Sequence, residues 1–216
     1  MSATLLQFEH FYYGQPAADY QAPQRTGLLA ASAGITPELA AATVERVTLP
    51  LPPFTANHRA WALVRGSRQQ PFVMVQVQRS ASGQSVAHYS LLPSDLLRTV
   101  GGNLRELLKL LDTELPAFGD GVKSLPLLSI TPPQPESDDQ QTEDILDLMS
   151  VVNNRVEVME SLLAAIVRNV PIVVVNAPEE FKARVDFMAG LLALLPFSVR
   201  YAVTFATYST DANDVD

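Results

Sequence analysis

The sequence predicts a mixed α+β and α/β protein, with antiparallel strands and helices in the N-terminal part and an αβαβ layer in the C-terminal part. Three observations carry that expectation. The first hundred residues hold β-branched and aromatic runs such as Thr4–Tyr13 (TLLQFEHFYY) and Pro71–Arg79 (PFVMVQVQR). The last sixty hold apolar residues at helical spacing, interrupted by the short runs PIVVVN and RYAVTFATYS. Between them Thr131–Gln141 (TPPQPESDDQQ) mixes prolines, acids and amides and reads as a linker. The predicted division is therefore 1–130 as a mixed part, 131–141 as a linker and 142–216 as an αβαβ part.

Taken in order, Thr4–Tyr13 alternates and reads as a strand that Gly14 and Pro16 end. Gly27–Gly34 (GLLAASAG) is a short apolar segment between glycines, expected to make one or two helical turns. Thr36-Pro37-Glu38 opens a helix with a capping hydroxyl, a proline at the first helical position and an acid facing the dipole; that helix should run to Arg46. Leu49–Thr55 is too rich in proline for regular structure. Ala60–Arg65 and Pro71–Arg79 read as a hairpin, followed by a strand over Gln84–Leu92. In Pro71–Arg79 the face bearing Val73, Val75 and Val77 is the expected core face. Ser94–Val100 and Leu104–Leu111 are helical segments separated by Gly101-Gly102-Asn103, and Leu125–Ile130 is a short strand.

In the C-terminal part a helix is expected from Thr142 to Val152, with Asn153-Asn154 interrupting it. Arg155–Arg168 is an amphipathic helix whose stripe is Val156, Met159, Leu163, Ile166 and Val170. Pro171–Asn176 is an apolar strand, Pro178–Leu195 a second helix with Phe181, Val185, Met188, Leu192 and Leu195 inward, and Arg200–Ser209 a second strand. Lys182 and Asp186 form an i,i+4 pair of opposite charge. The polar end of the sequence leads to the expectation that the chain is the first portion of a longer protein.

Composition excludes several functions. With no cysteine the chain has no disulfide, thiolate metal site or thiol nucleophile, a composition that fits the cytoplasm. The N-terminus lacks the basic and apolar regions of a signal peptide, and no uncharged apolar run is long enough for a membrane span. Net charge is −8, but no acid occurs between Glu45 and Asp95, so that stretch carries about +5 and the remainder about −13. An acidic chain lacks the positive field that nucleic-acid binding requires. Arg59, Arg65, Arg68 and Arg79, with Trp61 among them, form the candidate protein-interaction patch; arginines covering the outer face of a sheet, over a buried tryptophan, are the plainer alternative.

Catalytic signatures are sparse. His10, His58 and His88 are the three histidines, and no two have metal-ligand spacing on one element. His88 and Ser90 share a strand face, a weak echo of a base beside a nucleophile, and a hydrogen-bonded core histidine is the preferred reading. Phosphate-binding glycine motifs are missing, and Gly119-Asp120-Gly121 reads as a turn. Asn176 ends an apolar strand before a helix, where open α/β sheets bind ligands, yet Glu179 and Glu180 would repel an anion there. No catalytic, cofactor or metal residue is assigned.

Four phrases together resemble a known family. They are the strand ending Tyr12-Tyr13-Gly14-Gln15, the Gly27–Gly34 segment, His88–Asp95 (HYSLLPSD), and Leu191–Pro196 (LLALLP) followed by Arg200–Tyr208 (RYAVTFATY). The pattern resembles the amino-terminal domain of the GTPase-associated proteins of predicted bacterial conflict systems. That resemblance implies a large cytoplasmic adaptor working beside a GTPase, and it assigns no catalytic residue. The leading expectation is thus a non-enzymatic interaction module. An enzyme or ligand sensor with a site near Asn176 and Thr207 is one alternative. A half-domain whose sheet is completed by later residues or by dimerisation is another.

Overall fold

The structure is a computed structural model, described here over residues 5–16, 26–50, 59–66, 72–79, 85–112, 114–119, 121–131 and 136–210. The mixed α and β class is as expected. The chain forms two compact units that interleave in sequence: residues 1–96, 111–132 and 204–208 make the first, and 97–110, 133–203 and 209–216 the second.

The first unit is built on a sheet. Its strands are β1 (Leu6–Phe8), β2 (His10–Gly14), β3 (Gly27–Ser32), β4 (Arg59–Arg65), β5 (Phe72–Arg79), β6 (Ser85–Leu92), β7 (Lys123–Leu125), β8 (Leu128–Ile130) and β9 (Phe205–Ala206). Seven of these form one sheet in the order β7-β3-β2-β6-β5-β4-β9, and β1 pairs with β8 separately. Among the described residues only the β3–β7 pairing is parallel. The predicted hairpin and its third strand are present as β4, β5 and β6, although residues 67–70 and the proline-rich stretch 51–58 lie outside the described residues. The expected first strand divides at Glu9, whose carbonyl accepts from the Leu91 amide while its carboxylate takes the Ser32 hydroxyl and the Gly34 amide.

Gly27–Ser32 is a strand, not the helical turns its composition suggested. Its outer partners β2 and β7 supply ladder hydrogen bonds, and such tertiary pairing overrides weak local propensity. The helix α1 (Pro37–Arg46) follows the expected grammar: Thr36 accepts from the Leu39 amide at 3.2 Å, with Pro37 at the first position. The valine face of β5 does enter a core, with Phe11, Ala60, Ala62, Tyr89 and Leu91. The opposite face is buried as well, since Phe72, Met74 and Gln76 are all enclosed. Both faces of this sheet are covered, so alternation along β5 does not separate core from solvent.

The second unit is helical. It contains α3 (Leu104–Leu108), α4 (Asp138–Val151), α5 (Val156–Val167), α6 (Phe181–Ala193) and α7 (Phe197–Arg200). The preceding helix, α2 (Ser94–Val100), ends at Gly101 and Gly102, whose φ of 59° and 77° suit glycine. α4 starts four residues before the expected Thr142, because Ser137 accepts from the Gln140 amide at 3.2 Å and caps the helix. Residues 138–141 of the expected linker are thus its first turn, and 132–135 lie outside the described residues. Asn153 and Asn154, both with positive φ, separate α4 from α5 as anticipated.

The αβαβ order does not form here. Its two helices are present as α5 and α6, but Pro171–Asn176 is not a strand, and Arg200–Ser209 contributes only the two-residue β9. A strand needs a partner edge. Proline at 171 donates no ladder hydrogen bond, and Asn169 and Asn176 (φ 55° each) turn the chain at both ends of the run. α5 is also rotated from its expected stripe: Val158, Met159, Leu162 and Ile166 pack against the core of Leu148, Val152 and Leu191, while Val156 and Val170 face solvent.

α4 and α6 approach closely at Gly190, where an added Cβ would lie 2.6 Å from the Asp144 carbonyl oxygen and 2.6 Å from the Leu148 Cβ. Gly190→Ala should therefore push the two helices apart and cost about 1–3 kcal/mol, typical of overpacking. Chemical denaturation of the variant and the parent chain checks this.

Candidate functional site

The densest polar cluster among the described residues lies on one face of the first unit's sheet. Alternation along β2 sends His10 and Tyr12 to that face, and alternation along β6 sends His88 and Ser90 there. The antiparallel register sets Tyr12 opposite His88 and His10 opposite Ser90. The segment after α3 then brings Asp112 over them. All but Asp112 are buried, and its side chain is 32% exposed.

Contacts run in a chain. His10 Nε2 lies 3.0 Å from the Pro126 carbonyl oxygen, and His10 Nδ1 lies 2.9 Å from His88 Nε2. His88 Nδ1 lies 2.8 Å from Asp112 Oδ2, which also accepts from the Tyr12 hydroxyl at 2.8 Å. Tyr12 stacks on the His88 ring with centroids 4.2 Å apart. Gln76 fixes the Asp112 backbone from below, donating to its carbonyl at 2.7 Å and accepting from its amide at 2.9 Å. The Ser32 hydroxyl accepts from the His10 amide at 2.9 Å.

These contacts count the protons. A carbonyl only accepts, so His10 Nε2 carries a hydrogen; a carboxylate only accepts, so His88 Nδ1 carries one too. The 2.9 Å contact between the rings joins the other two ring nitrogens. Burial, then the charge of His88, holds His10 below its ordinary value. Burial by itself would raise Asp112, but the hydrogen bond and charge of His88 and the Tyr12 hydroxyl outweigh it and bring the carboxyl below its ordinary value. Tyr12 is pushed far upward by burial and by its bond to Asp112, and stays a neutral donor.

Every ring nitrogen in this cluster faces another protein atom, which suits a clamp better than a base. The cluster fastens Asp112 and Pro126, from two irregular segments, onto the centre of the sheet. Sequence reasoning placed His88 and Ser90 on one face, and both are there, but the partners of His88 are His10 and Asp112. Alternation shows which face each histidine takes; the β2–β6 register that joins them has no local signal.

The expected interaction patch is only partly at the surface. Trp61 is fully buried, with its ring edge-on to Phe205 at 4.8 Å, so it cannot anchor a partner. It stands on an inner strand of a sheet covered on both faces, which explains the burial. Arg65 and Arg79 are exposed, Arg59 is half-buried, and Arg68 lies outside the described residues. The Arg65 guanidinium sits 5.9 Å from the centre of the Phe72 ring. Asn176 lies in an exposed turn, whereas Thr207 is buried, donating its amide to the Trp61 carbonyl at 2.8 Å and accepting from the Trp61 amide at 2.9 Å. With no strand leading to Asn176, the ligand-binding sheet edge expected there is missing.

Two further features belong to the second unit. An open depression of about 310 Å³ is lined by Arg98, Phe197, Ser198 and Tyr201. More conspicuous is a run of exposed valines: Val167 is 71% exposed and Val175 77%, with Val170, Val173 and Val174 near one half. α5 itself contains no buried residue. Among the described residues no group of three or more acids and histidines could hold a metal ion, and no helix is long and apolar enough to cross a membrane. No family model, curated protein or solved structure matches this chain.

Proposed function

We propose that this chain is a non-enzymatic protein-interaction module whose docking surface is the valine run from Val167 to Val175. The observation that carries the reading is that exposure: five valines within nine residues face solvent, from the last residue of a helix that has no fully buried residue through the segment after it. Folded monomers rarely leave contiguous aliphatic surface open without a use for it. The inward-facing His10–His88–Asp112 cluster fits this reading, because its nitrogens are spent on holding segments together. The resemblance to GTPase-associated proteins suggests a partner class, a GTPase working beside a cytoplasmic adaptor.

Val173→Ser with Val175→Ser tests it. Both side chains are exposed, so folding stability should stay within about 0.5 kcal/mol. A partner recovered by cross-linking in native cells should be lost with this variant. Recovery that survives the change, or depends instead on reversing Arg65 and Arg79 to glutamate, would move the docking surface away from the valines. Identification of the partner as a protein without a nucleotide-binding loop would remove the GTPase.

A further inference from the structure

The segment from Lys123 to Ile130 is a strap laid along one margin of the first unit's sheet. β7 pairs with β3 over three residues at the end of the strand order, and β8 pairs with β1 over three. No residue of the strap is buried, and Leu125 packs on the apolar cluster of Tyr12, Leu29, Val86, Leu115 and Phe118. Pairing so short, with so little burial, belongs to the weakly held end of a fold. Pro126, between the two strands, has no amide to donate, and its carbonyl is tied to the sheet by His10 Nε2.

That tie is made by a ring that cannot keep its place once its neighbour is charged too. His10 Nδ1 and His88 Nε2 face each other at 2.9 Å, a distance with room for one hydrogen. A charged imidazole carries a hydrogen on both nitrogens. One charged ring is compatible with the contact, because the other accepts. Two charged rings set N–H against N–H, with like charges, in a buried site. The rings must then part. His88 is the better held, by Asp112 Oδ2 at 2.8 Å and by the Tyr12 ring stacked on it at 4.2 Å. The other tie of His10 is a neutral carbonyl, the weaker kind of acceptor, so His10 gives way and releases Pro126.

We propose that His10 and His88 form an acid-operated latch: when both rings are charged, the strap lifts and uncovers the outer edge of β3 and the apolar surface under Leu125. The charged groups around His10 do not cancel this. Glu9, its neighbour in sequence, is engaged by the Ser32 hydroxyl and the Gly34 amide. His88 faces it from β6, and Asp112, from the segment after α3, is already bonded to His88 and Tyr12. Lys123, on β7 itself, lies over the Phe118 ring. Glu9, Asp112 and the Pro126 carbonyl favour a charge on His10, but burial and the charge of His88 outweigh them. In the lifted state His10 meets water and returns toward its ordinary value of 6.5. The lifted state therefore binds the proton more tightly than the closed one, and lifting is favoured as pH falls below 6.5.

Hydrogen exchange on the full 216-residue chain at pH 7.5 and pH 5 tests this. Protection of the β3–β7 ladder, referred to an unstructured peptide at the same pH, should fall about tenfold or more, while the β4–β5 ladder stays level. NMR titration of the ring C–H signals should show the second ring of the pair charging over the same range. In His88→Gln only one ring of the pair is left to charge, and the fall should disappear. A β3–β7 ladder that keeps its protection at pH 5 overturns the latch, and the parent chain gives that result even if the variant fails to fold. Equal loss in both ladders overturns it too, since acid then unfolds the sheet as a whole. So does a loss confined to the strap that persists in folded His88→Gln.

Discussion

Asp112→Asn is expected to lower the stability of the folded chain by about 1.5–3 kcal/mol, the usual worth of hydrogen bonds to a charged group. The substitution keeps the shape of the side chain and an acceptor for Tyr12. It removes the carboxylate charge that faces the buried His88 at 2.8 Å. The pH dependence separates this from a packing defect. Asp112 is held below its ordinary value of 3.8 in the fold, so its contribution is complete above that pH and is lost as pH falls further. His10 is also held below its ordinary value, 6.5, so the unfolded chain takes up that proton first and stability begins to fall as pH drops through 6.5. Both slopes have the same sign: acid destabilises. In Asp112→Asn the loss below pH 3.8 attributable to Asp112 should disappear. Urea unfolding from neutral pH to pH 3 reads both limbs; an unchanged acid limb would remove Asp112 from the clamp.

Glu136→Ala should be more damaging, at about 3–5 kcal/mol, because it strands a buried guanidinium. Arg200, only 3% exposed, is paired through its side chain with Glu136, itself 6% exposed. The same arginine donates from Nε to the Leu195 carbonyl at 2.8 Å and from a terminal nitrogen to the Ala193 carbonyl at 3.2 Å. It thereby closes the C-terminal end of α6, where carbonyl groups lack helical partners. Glu136→Gln retains an acceptor and should lose less. The comparison of the two variants by denaturant unfolding distinguishes an unpaired charge from a missing side chain; equal losses would argue against the pair.

The difference between the expected and observed C-terminal part has a physical cause. Periodicity found α5 and α6, including the Lys182–Asp186 pair at 2.5 Å, because a helix satisfies its backbone within its own sequence. The same reasoning made a strand of Pro171–Asn176, whose backbone can be satisfied only by another segment. In the first unit the equivalent valine run in β5 found β4 and β6 as neighbours. Composition cannot distinguish a run with neighbours from one without.

Local chemistry thus determined what each segment completes alone: the Thr36-Pro37 helix start, the break at Asn153-Asn154, the alternation that faces His10 and Tyr12 the same way, and the mixed class. Tertiary structure decided what depends on a second segment. It made Gly27–Ser32 a strand, buried Trp61 on an inner strand, and carried Asp112 from an aperiodic stretch onto two histidines far apart in sequence. Hydrogen bonds inside a helix are written in consecutive residues, whereas those between strands and among buried side chains are written only in register.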